Sequence, residues 1–261
     1  MFETLTLDVD PRGVATLTLN RPDKHNAMSA LMIDELSRAA ERLRSDEDIR
    51  VVVLTGTGRS FCAGGDLGWM RAQIEADSET RATEARRLAT MLGALNSLPK
   101  PLIGRIQGQA FGGGVGLMCV CDIAIGVEEA KFGLTETRLG LIPATIGPYV
   151  AARLGPAARR VFFSSRLFAT DEAVALGLLS KSVAPKDLDE AVEAEVVPCL
   201  SSAPGAIAEA KALIGDLVGR VDAAAVDASV NALVRRWQSP EAAEGVASFF
   251  EKRRPGWSRS D

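Results

Sequence analysis

Histidine and cysteine are scarce in this chain. One histidine, His25, occurs in 261 residues, and the four cysteines (Cys62, Cys119, Cys121 and Cys199) include no Cys-x-x-Cys pair. A zinc site or the dense disulfide framework of a small secreted domain is therefore not indicated. A Ser–His–Asp triad is also disfavoured, because no Gly-x-Ser-x-Gly elbow is present. We expect no metal site, and we interpret the cysteines as reduced and mostly buried.

Long runs of one charge and long apolar runs are also absent. Lys and Arg number 30 against 34 Asp and Glu, a net charge of −4, which does not suggest a nucleic-acid binder. No apolar run approaches the roughly 18 residues of a membrane-spanning helix. The N-terminal segment MFETLTLDVD is acidic and alternating, which is not the pattern of a signal peptide. We predict a cytoplasmic protein without nucleic-acid or membrane partners.

The standard nucleotide-binding glycine patterns are missing as well. Gly56-x-Gly58 is followed by Phe61 where a dinucleotide fingerprint requires glycine, and no Gly-Lys-Ser/Thr phosphate loop occurs. The sequence therefore predicts neither a nicotinamide nor a flavin cofactor.

What the chain does contain is an alternation of strand and helix patterns. Polar and apolar residues alternate over 3–9 and 14–19, which predicts a hairpin, and Ser29 is a candidate N-cap for the following helix. Further patterns predict a buried strand at 51–54, a helix at 79–98, and strands at 102–106 and 122–127. Such alternation is typical of an α/β fold.

Beyond Pro143 the pattern becomes helical. Helices are predicted over 148–154, 156–164, 170–176, 187–199, 203–219, 222–238 and 240–251. We predict an α/β core over 1–199 and a C-terminal helical region over 200–261, which packs on itself or on a neighbouring subunit.

Two glycine-rich segments, 61–67 and 108–116, each follow a predicted strand. Glycine lets backbone N–H groups turn outward and approach a ligand closely, so the two segments could supply converging hydrogen-bond donors. Tight turns and close helix–sheet packing would explain the same glycines. Spacing alone leaves both interpretations open.

Five ordered motifs carry a family resemblance. They are NRPDKHNA (20–27), FCAGGDL (61–67), GGG (112–114), CDIA (121–124) and KFGLTETRLGLIP (131–143). Together they resemble the crotonase superfamily of enoyl-CoA hydratases and isomerases, and the pattern is most similar to methylglutaconyl-CoA hydratases. The resemblance implies a spiral of ββα turns with a C-terminal helical trimerisation region, assembled as homotrimers or hexamers. It also implies an acyl-CoA thioester substrate in fatty acid metabolism, with coenzyme A entering as part of the substrate and no separate cofactor.

The resemblance also implies roles for individual residues. The backbone N–H groups of Gly65 and Gly113 would form an oxyanion hole for the thioester oxygen, and Glu136 would be the general acid/base. The residues expected to contact the substrate or its CoA part are Lys24, His25, Ala27, Ala63, Gly64, Asp66, Leu67, Trp69, Pro143, Tyr149 and Lys252. For Trp69 and Tyr149 ordinary core packing is the alternative, and for Lys252 it is a solvated helix end.

The chain departs from two-glutamate hydratases at one position. Those enzymes carry their first glutamate three residues after the middle glycine of the triple, where this chain has Gly116. Glu136 would then transfer all the protons, unless it is a solvated carboxylate paired with Arg138. Hydration of a 2-enoyl-CoA is our first hypothesis, and Δ3,Δ2-enoyl-CoA isomerisation is the main alternative. Thioester hydrolysis, decarboxylation, or a non-catalytic CoA- or RNA-binding scaffold fit the sequence less well.

Overall fold

The computed structural model describes residues 2–218 and 221–258. Its main sheet has six strands in the order β1-β2-β3-β5-β7-β10. These strands are β1 (Leu5–Val9), β2 (Val14–Leu19), β3 (Val51–Gly56), β5 (Leu102–Ile106), β7 (Ile123–Val127) and β10 (Lys181–Val183). The predicted hairpin is confirmed, because β1 pairs antiparallel with β2, while the other neighbours in this sheet are parallel.

A second sheet has four strands in the order β4-β6-β8-β9. Its strands are β4 (Ser60–Cys62), β6 (Gln109–Phe111), β8 (Lys131–Gly133) and β9 (Phe168–Ala169). These strands have two or three residues each, so they are too short to show a periodicity, and they were not among the predicted strands. The segment 61–67 overlaps β4 and the segment 108–116 contains β6, which places both segments in the same small sheet.

The helices surround and extend these two sheets. They are α1 (Ala30–Ser45), α2 (Leu67–Glu75), α3 (Ser78–Asn96), α4 (Gly113–Cys119), α5 (Gly147–Leu154), α6 (Thr170–Ala175), α7 (Leu188–Leu200), α8 (Pro204–Val218), α9 (Ala223–Trp237) and α10 (Pro240–Phe250). Ser29 caps α1 as predicted, since its hydroxyl accepts from the Met32 N–H at 3.2 Å. The segment predicted as a helix over 156–164 is instead a 3-10 helix, Gly155–Arg160.

The main core lies between the large sheet and the helices α1, α3 and α4. Strand β3 is buried along its whole length, and α1 packs its apolar face against α3. Cys62, Cys119 and Cys121 are buried free thiols in this part of the chain, and burial raises the pKa of the Cys62 thiol to about 12. They act as small apolar side chains there.

The C-terminal helices pack on the core of their own chain. Helix α9 contacts α3, and α10 contacts a 3-10 helix at Glu136–Leu139. The predicted boundary at 199/200 falls next to the α7–α8 junction and stays a prediction. No helix in the described part of the chain is long and apolar enough to cross a membrane.

Candidate active site

A cavity of about 410 Å³ lies between the small sheet, α2, and the C-terminal helices. Its walls are mainly apolar, and the lining residues are Met28, Ile33, Ala63, Gly64, Gly65, Leu67, Trp69, Met70, Leu88, Phe111, Gly112, Gly113, Thr135, Glu136, Arg138, Leu139, Leu141, Ile142, Pro143, Ala144, Thr145, Ile146, Leu167, Leu233, Trp237 and Phe249. Glu136 is the carboxylate in that lining. A concave apolar site with few polar groups is the usual form of a small-molecule site.

The first wall is the glycine segment that follows β4. Gly64 has φ +92°, a conformation that glycine adopts without steric cost. The Met28 N–H donates to the Gly64 carbonyl at 2.7 Å, and the Asp66 N–H donates to the Met28 carbonyl at 2.9 Å. The N–H of Gly65, between them, has no acceptor among the described residues. That donor is available to a ligand.

The second wall is the triple glycine at the start of α4. Gly112 has φ +48°, and its N–H donates to the Gly133 carbonyl at 2.9 Å. Gly113 is the first residue of α4, and its N–H has no acceptor in the described chain. A Cβ added to Gly64 would lie 3.7 Å from this nitrogen. The two glycine segments therefore meet, and their free N–H groups border one cavity.

Glu136 lies against the second glycine segment. A Cβ added to Gly112 would lie 2.9 Å from Glu136 Oε1, so the carboxylate packs where a side chain would otherwise be. Glu136 Oε2 is fully buried and accepts no hydrogen bond from the described residues. The alternative pairing with Arg138 is not formed, because the Arg138 guanidinium instead donates to the Ser165 carbonyl at 3.4 Å.

This setting changes the acidity of Glu136. Burial raises the pKa of Glu136 to about 7, and a hydrogen bond from its own backbone N–H opposes the rise. A carboxyl group with such a pKa is present in both protonation states near neutral pH. It can therefore take up a proton and return it.

The position of the absent second acid is closed by an apolar side chain. A Cβ added to Gly116 would lie 2.5 Å from Ile146 Cγ2 and 3.7 Å from Leu92 Cδ1. Ile146 is buried and lines the cavity at this point. A glutamate introduced at Gly116 would require Ile146 to move, so this wall does not have room for a second carboxylate.

The other predicted site residues divide into two groups. Ala63, Gly64, Leu67, Trp69 and Pro143 line the cavity. Lys24, His25, Ala27, Asp66, Tyr149 and Lys252 are not part of its lining. A coenzyme that extends beyond the cavity could still contact some of them, and those contacts stay predictions.

Two members of the second group have clear structural partners. Tyr149 is buried, and its hydroxyl donates to the Ala89 carbonyl at 2.9 Å, so it packs α5 on α3. It is not in the cavity lining, and its contact with the substrate stays a prediction. The Asp66 carboxylate caps α2 by accepting from the Gly68 N–H at 2.8 Å, and it pairs with Arg21 at 3.0 Å. These contacts account for Asp66 without a ligand.

The motif around His25 forms a separate turn. His25 and Asn26 both have positive φ, at 51° and 54°. His25 Nδ1 lies 3.0 Å from Ser60 Oγ, while the buried Asn26 amide donates to the Ser60 carbonyl at 2.8 Å. These bonds hold the turn against β4, beside the first glycine segment.

Several cavity residues were not predicted from the sequence. Met28, Ile146, Leu233, Trp237 and Phe249 all line it, the last three from α9 and α10. They are apolar residues in helices or loops, so no chemical signal in the sequence separates them from ordinary core residues.

Comparison with known proteins identifies relatives of this chain. Residues 10–260 match the family model described as Enoyl-CoA hydratase/isomerase. A Mycobacterium tuberculosis protein named "Probable enoyl-CoA hydratase EchA17" is 37% identical over 207 residues, which are 78% of each chain.

Solved structures extend the similarity to the fold. An enoyl-CoA hydratase from Shewanella pealeana is 38% identical with a TM-score of 0.81, covering 98% of this chain and 97% of that one. An enoyl-CoA hydratase from Mycobacterium avium is 32% identical with a TM-score of 0.87, covering 99% and 100%. The motifs, the two-sheet fold and these matches lead to one conclusion: the chain belongs to the enoyl-CoA hydratase/isomerase family, whose fold is that of the crotonases.

Proposed function

We propose that this protein is an enoyl-CoA hydratase, which adds water to the double bond of a 2-enoyl-CoA thioester. One observation carries the proposal. A carboxylate whose Oε2 atom is buried, that of Glu136, lies beside two glycine segments whose free N–H groups, at Gly65 and Gly113, border the same apolar cavity. The names of the relatives support the same activity.

The two N–H groups would stabilise the intermediate of the reaction. When hydroxide adds to the β-carbon, the double-bond electrons move toward the thioester carbonyl, and the negative charge collects on its oxygen. Donors fixed in advance at that oxygen lower the barrier, each by about 3 to 4 kcal/mol in comparable sites. Gly65 and Gly113 supply this through the backbone alone.

Glu136 would carry out both proton-transfer steps, and the same proton moves in each. In its ionised form the carboxylate takes a proton from water as the oxygen bonds to the β-carbon. The resulting carboxylic acid then gives that proton to the α-carbon, so the enolate collapses to the 3-hydroxyacyl thioester. A pKa near 7 suits both steps, because the ionised and neutral forms then differ little in free energy.

Isomerisation of a 3-enoyl-CoA to a 2-enoyl-CoA is the second candidate. The observation that favours it is the closure of the Gly116 position by Ile146, which leaves Glu136 without a second carboxylate in the cavity lining. Isomerisation requires a single group that removes a proton from one carbon and returns it to another. Hydration additionally requires a bound water molecule.

The test is a substrate panel assayed for both reactions. Crotonyl-CoA, a longer 2-enoyl-CoA, methylglutaconyl-CoA and a 3-enoyl-CoA should be incubated with wild-type protein and with Glu136→Gln, and the products separated. We expect wild-type 3-hydroxyacyl-CoA formation that the substitution abolishes. Isomerisation without hydration would establish the second candidate, and the absence of both would indicate a CoA-binding scaffold.

The setting of this activity also belongs to the proposal. We infer a cytoplasmic enzyme of fatty acid metabolism that assembles as a homotrimer or hexamer, with coenzyme A bound only as part of the substrate. An apolar surface on α8 supports the assembly, since Leu213, Ile214 and Leu217 are exposed there.

A further inference from the structure

Helix α10 packs directly on the backbone of the short 3-10 helix that carries Glu136. A Cβ added to Gly245 would lie 2.4 Å from both the carbonyl carbon and the carbonyl oxygen of Leu139. It would also lie 2.8 Å from the Gly140 nitrogen. Gly245 is buried in this contact, so the two backbones approach as closely as they do because residue 245 has no side chain.

The contact is reciprocal at Gly140, the residue that ends the 3-10 helix. Gly140 has φ +67°, and a Cβ added there would lie 2.2 Å from the Glu241 carbonyl oxygen. The Arg236 guanidinium, from the end of α9, donates to the Gly140 carbonyl. Glycine is thus required on both sides of the contact.

A small apolar cluster completes the attachment. Leu141, Ala242 and Val246 are buried together, and Leu139 and Trp237 pack against them. This cluster is separate from the main core, so α10 is held chiefly by the segment that carries Glu136. Movement of α10 would therefore move that segment.

The α9–α10 pair is also fixed on the opposite wall of the cavity. The Arg71 guanidinium of α2 lies 4.4 Å from the Phe250 ring centre, and that of Arg81 in α3 lies 5.7 Å from the Trp237 ring. The same helix pair contributes Trp237 and Phe249 to the lining. The α9–α10 pair therefore spans the cavity from α2 and α3 to the segment of Glu136.

We propose that Gly245 is a positioning residue for Glu136: its missing side chain lets α10 seat against Leu139 and Gly140 and so holds the carboxylate beside Gly112. This inference rests on the proposed function, because it assumes that Glu136 transfers the protons. It assigns a role in the reaction to a residue of α10 that does not line the cavity.

The size of the expected effect follows from the contact distance. A Cβ at 2.4 Å from backbone atoms must move outward by about 1 Å to reach ordinary contact, and a displacement of about 1 Å at a reacting group can reduce the rate about 100-fold. Neither Leu139 nor Gly140 can yield by rotating a side chain, since the contacted atoms are backbone.

The charged groups around the 3-10 helix Glu136–Leu139 do not account for the raised pKa of Glu136. Arg138 lies on the 3-10 helix itself and bonds to the Ser165 carbonyl, while Arg236 and Glu241 of α9 and α10 pair with each other. None of the three is a cause of the raised pKa of Glu136, which comes from burial. Loosening α10 would therefore lower the pKa of Glu136 by letting water reach the carboxylate.

Gly245→Ala is the test, with Gly205→Ala as the matched control. Gly205 is also in a C-terminal helix, α8, but a Cβ there would meet nothing within 4 Å. We expect Gly245→Ala to lower kcat about 100-fold, with a smaller change in KM. We also expect the acid limb of its kcat–pH profile to move to lower pH, as water reaches the carboxylate. Gly205→Ala should match the wild type in kcat, in KM and in the position of the acid limb.

A second variant serves if Gly245→Ala does not accumulate as folded protein. Val246→Ala removes contacts on Leu141 without adding a clash, and it should give a smaller loss of kcat with the same direction of the pH shift. Wild-type kcat and an unchanged acid limb in the folded variant would overturn the inference. So would a large loss of kcat with the acid limb unmoved. Wild-type protein that turns over no enoyl-CoA would instead overturn the proposed function.

Discussion

At the scale of single residues, Glu136 is an ionisable group in an apolar setting. Its Oε2 atom is buried and accepts no hydrogen bond from the described residues, and the cavity wall beside it is mainly apolar. Glu136→Gln keeps the shape and removes the base. Because general acid/base catalysis is typically worth about 10² to 10⁴-fold, kcat should fall by that amount or more while acyl-CoA binding survives. Steady-state kinetics with titration calorimetry of the product complex would check both, and a fully active variant would exclude Glu136 from catalysis.

The same substitution should make the folded protein more stable at neutral and higher pH. The pKa of Glu136 is raised from 4.5 to about 7 in the fold, so folding favours the protonated form. That advantage is complete below about pH 4.5 and is lost as the pH rises to about 7, where ionising Glu136 costs about 3 kcal/mol. Gln does not titrate. The Tm of Glu136→Gln should therefore exceed the wild-type Tm at pH 8 and match it near pH 4; a pH-independent difference would contradict the raised pKa.

Gly113 differs from Glu136 in acting without a side chain. Gly113→Pro removes its N–H, and losing one oxyanion donor should lower kcat about 100-fold or more. Proline is tolerated at the first position of a helix, but any Cβ at 113 would lie 2.2 Å from the flexible Met28 methyl group. Gly113→Ala is therefore the matched control, since it adds the same contact and keeps the N–H. Equal losses in the two variants would show that crowding, and not the donor, is responsible.

At the scale of elements, a hydrogen bond joins the Trp69 side chain of α2 to α3 beside the cavity. Trp69 Nε1 donates to Glu84 Oε2 of α3 at 2.9 Å, and a Cβ added to Gly65 would lie 3.5 Å from the Trp69 ring. The ring thus packs beside a proposed oxyanion donor. Glu84→Leu should lower kcat/KM roughly 10-fold, the scale of a hydrogen bond to a charged group, with the change mainly in KM. Glu84→Gln, which keeps an acceptor, should lose much less. Unchanged kinetics in Glu84→Leu would mean that the wall does not need this bond.

The elements also show which parts of the fold could be predicted from the sequence. The long helices were predicted because their periodicities extend over whole elements, and β3 was predicted because it is a continuous apolar run. The small sheet could not be found that way. Its pairs, such as β6 with β8 and β8 with β9, join residues far apart in the chain, and each strand is too short to carry a pattern. That sheet nonetheless brings the two glycine segments together.

The site was predictable where a family motif marks the residues. The two glycine-rich segments stand out in composition, the family resemblance singled out Glu136, Gly65 and Gly113, and the structure places these three at one cavity. Ile146 and Gly245 carry no such mark. The first matters because it fills the space at Gly116, and the second because its backbone contacts Leu139, and both facts depend on tertiary packing.

At the scale of the whole molecule, two of the C-terminal helices pack on the core, and a third exposes an apolar surface. Helices α9 and α10 pack on α3 and on the segment of Glu136. Helix α8 instead exposes Leu213, Ile214 and Leu217, the last with 72% of its surface accessible. Contiguous exposed apolar residues of this kind commonly mark an interface.

We expect the apolar surface of α8 to form a subunit interface, so that the protein is a trimer or hexamer in solution. Leu213 and Leu217 are one helical turn apart, so they lie on one face of α8, where a neighbouring copy of the chain would bury both. Light scattering at micromolar concentration should give a mass of three or six chains, and Leu217→Lys should reduce it.

If Lys252 also binds CoA across the subunit boundary, the dissociated variant should show a raised KM for acyl-CoA, and Lys252→Ala should raise KM without dissociation. A stable wild-type monomer would refute the assembly, and it would leave Lys252 as an exposed residue after α10 with no partner subunit to act on.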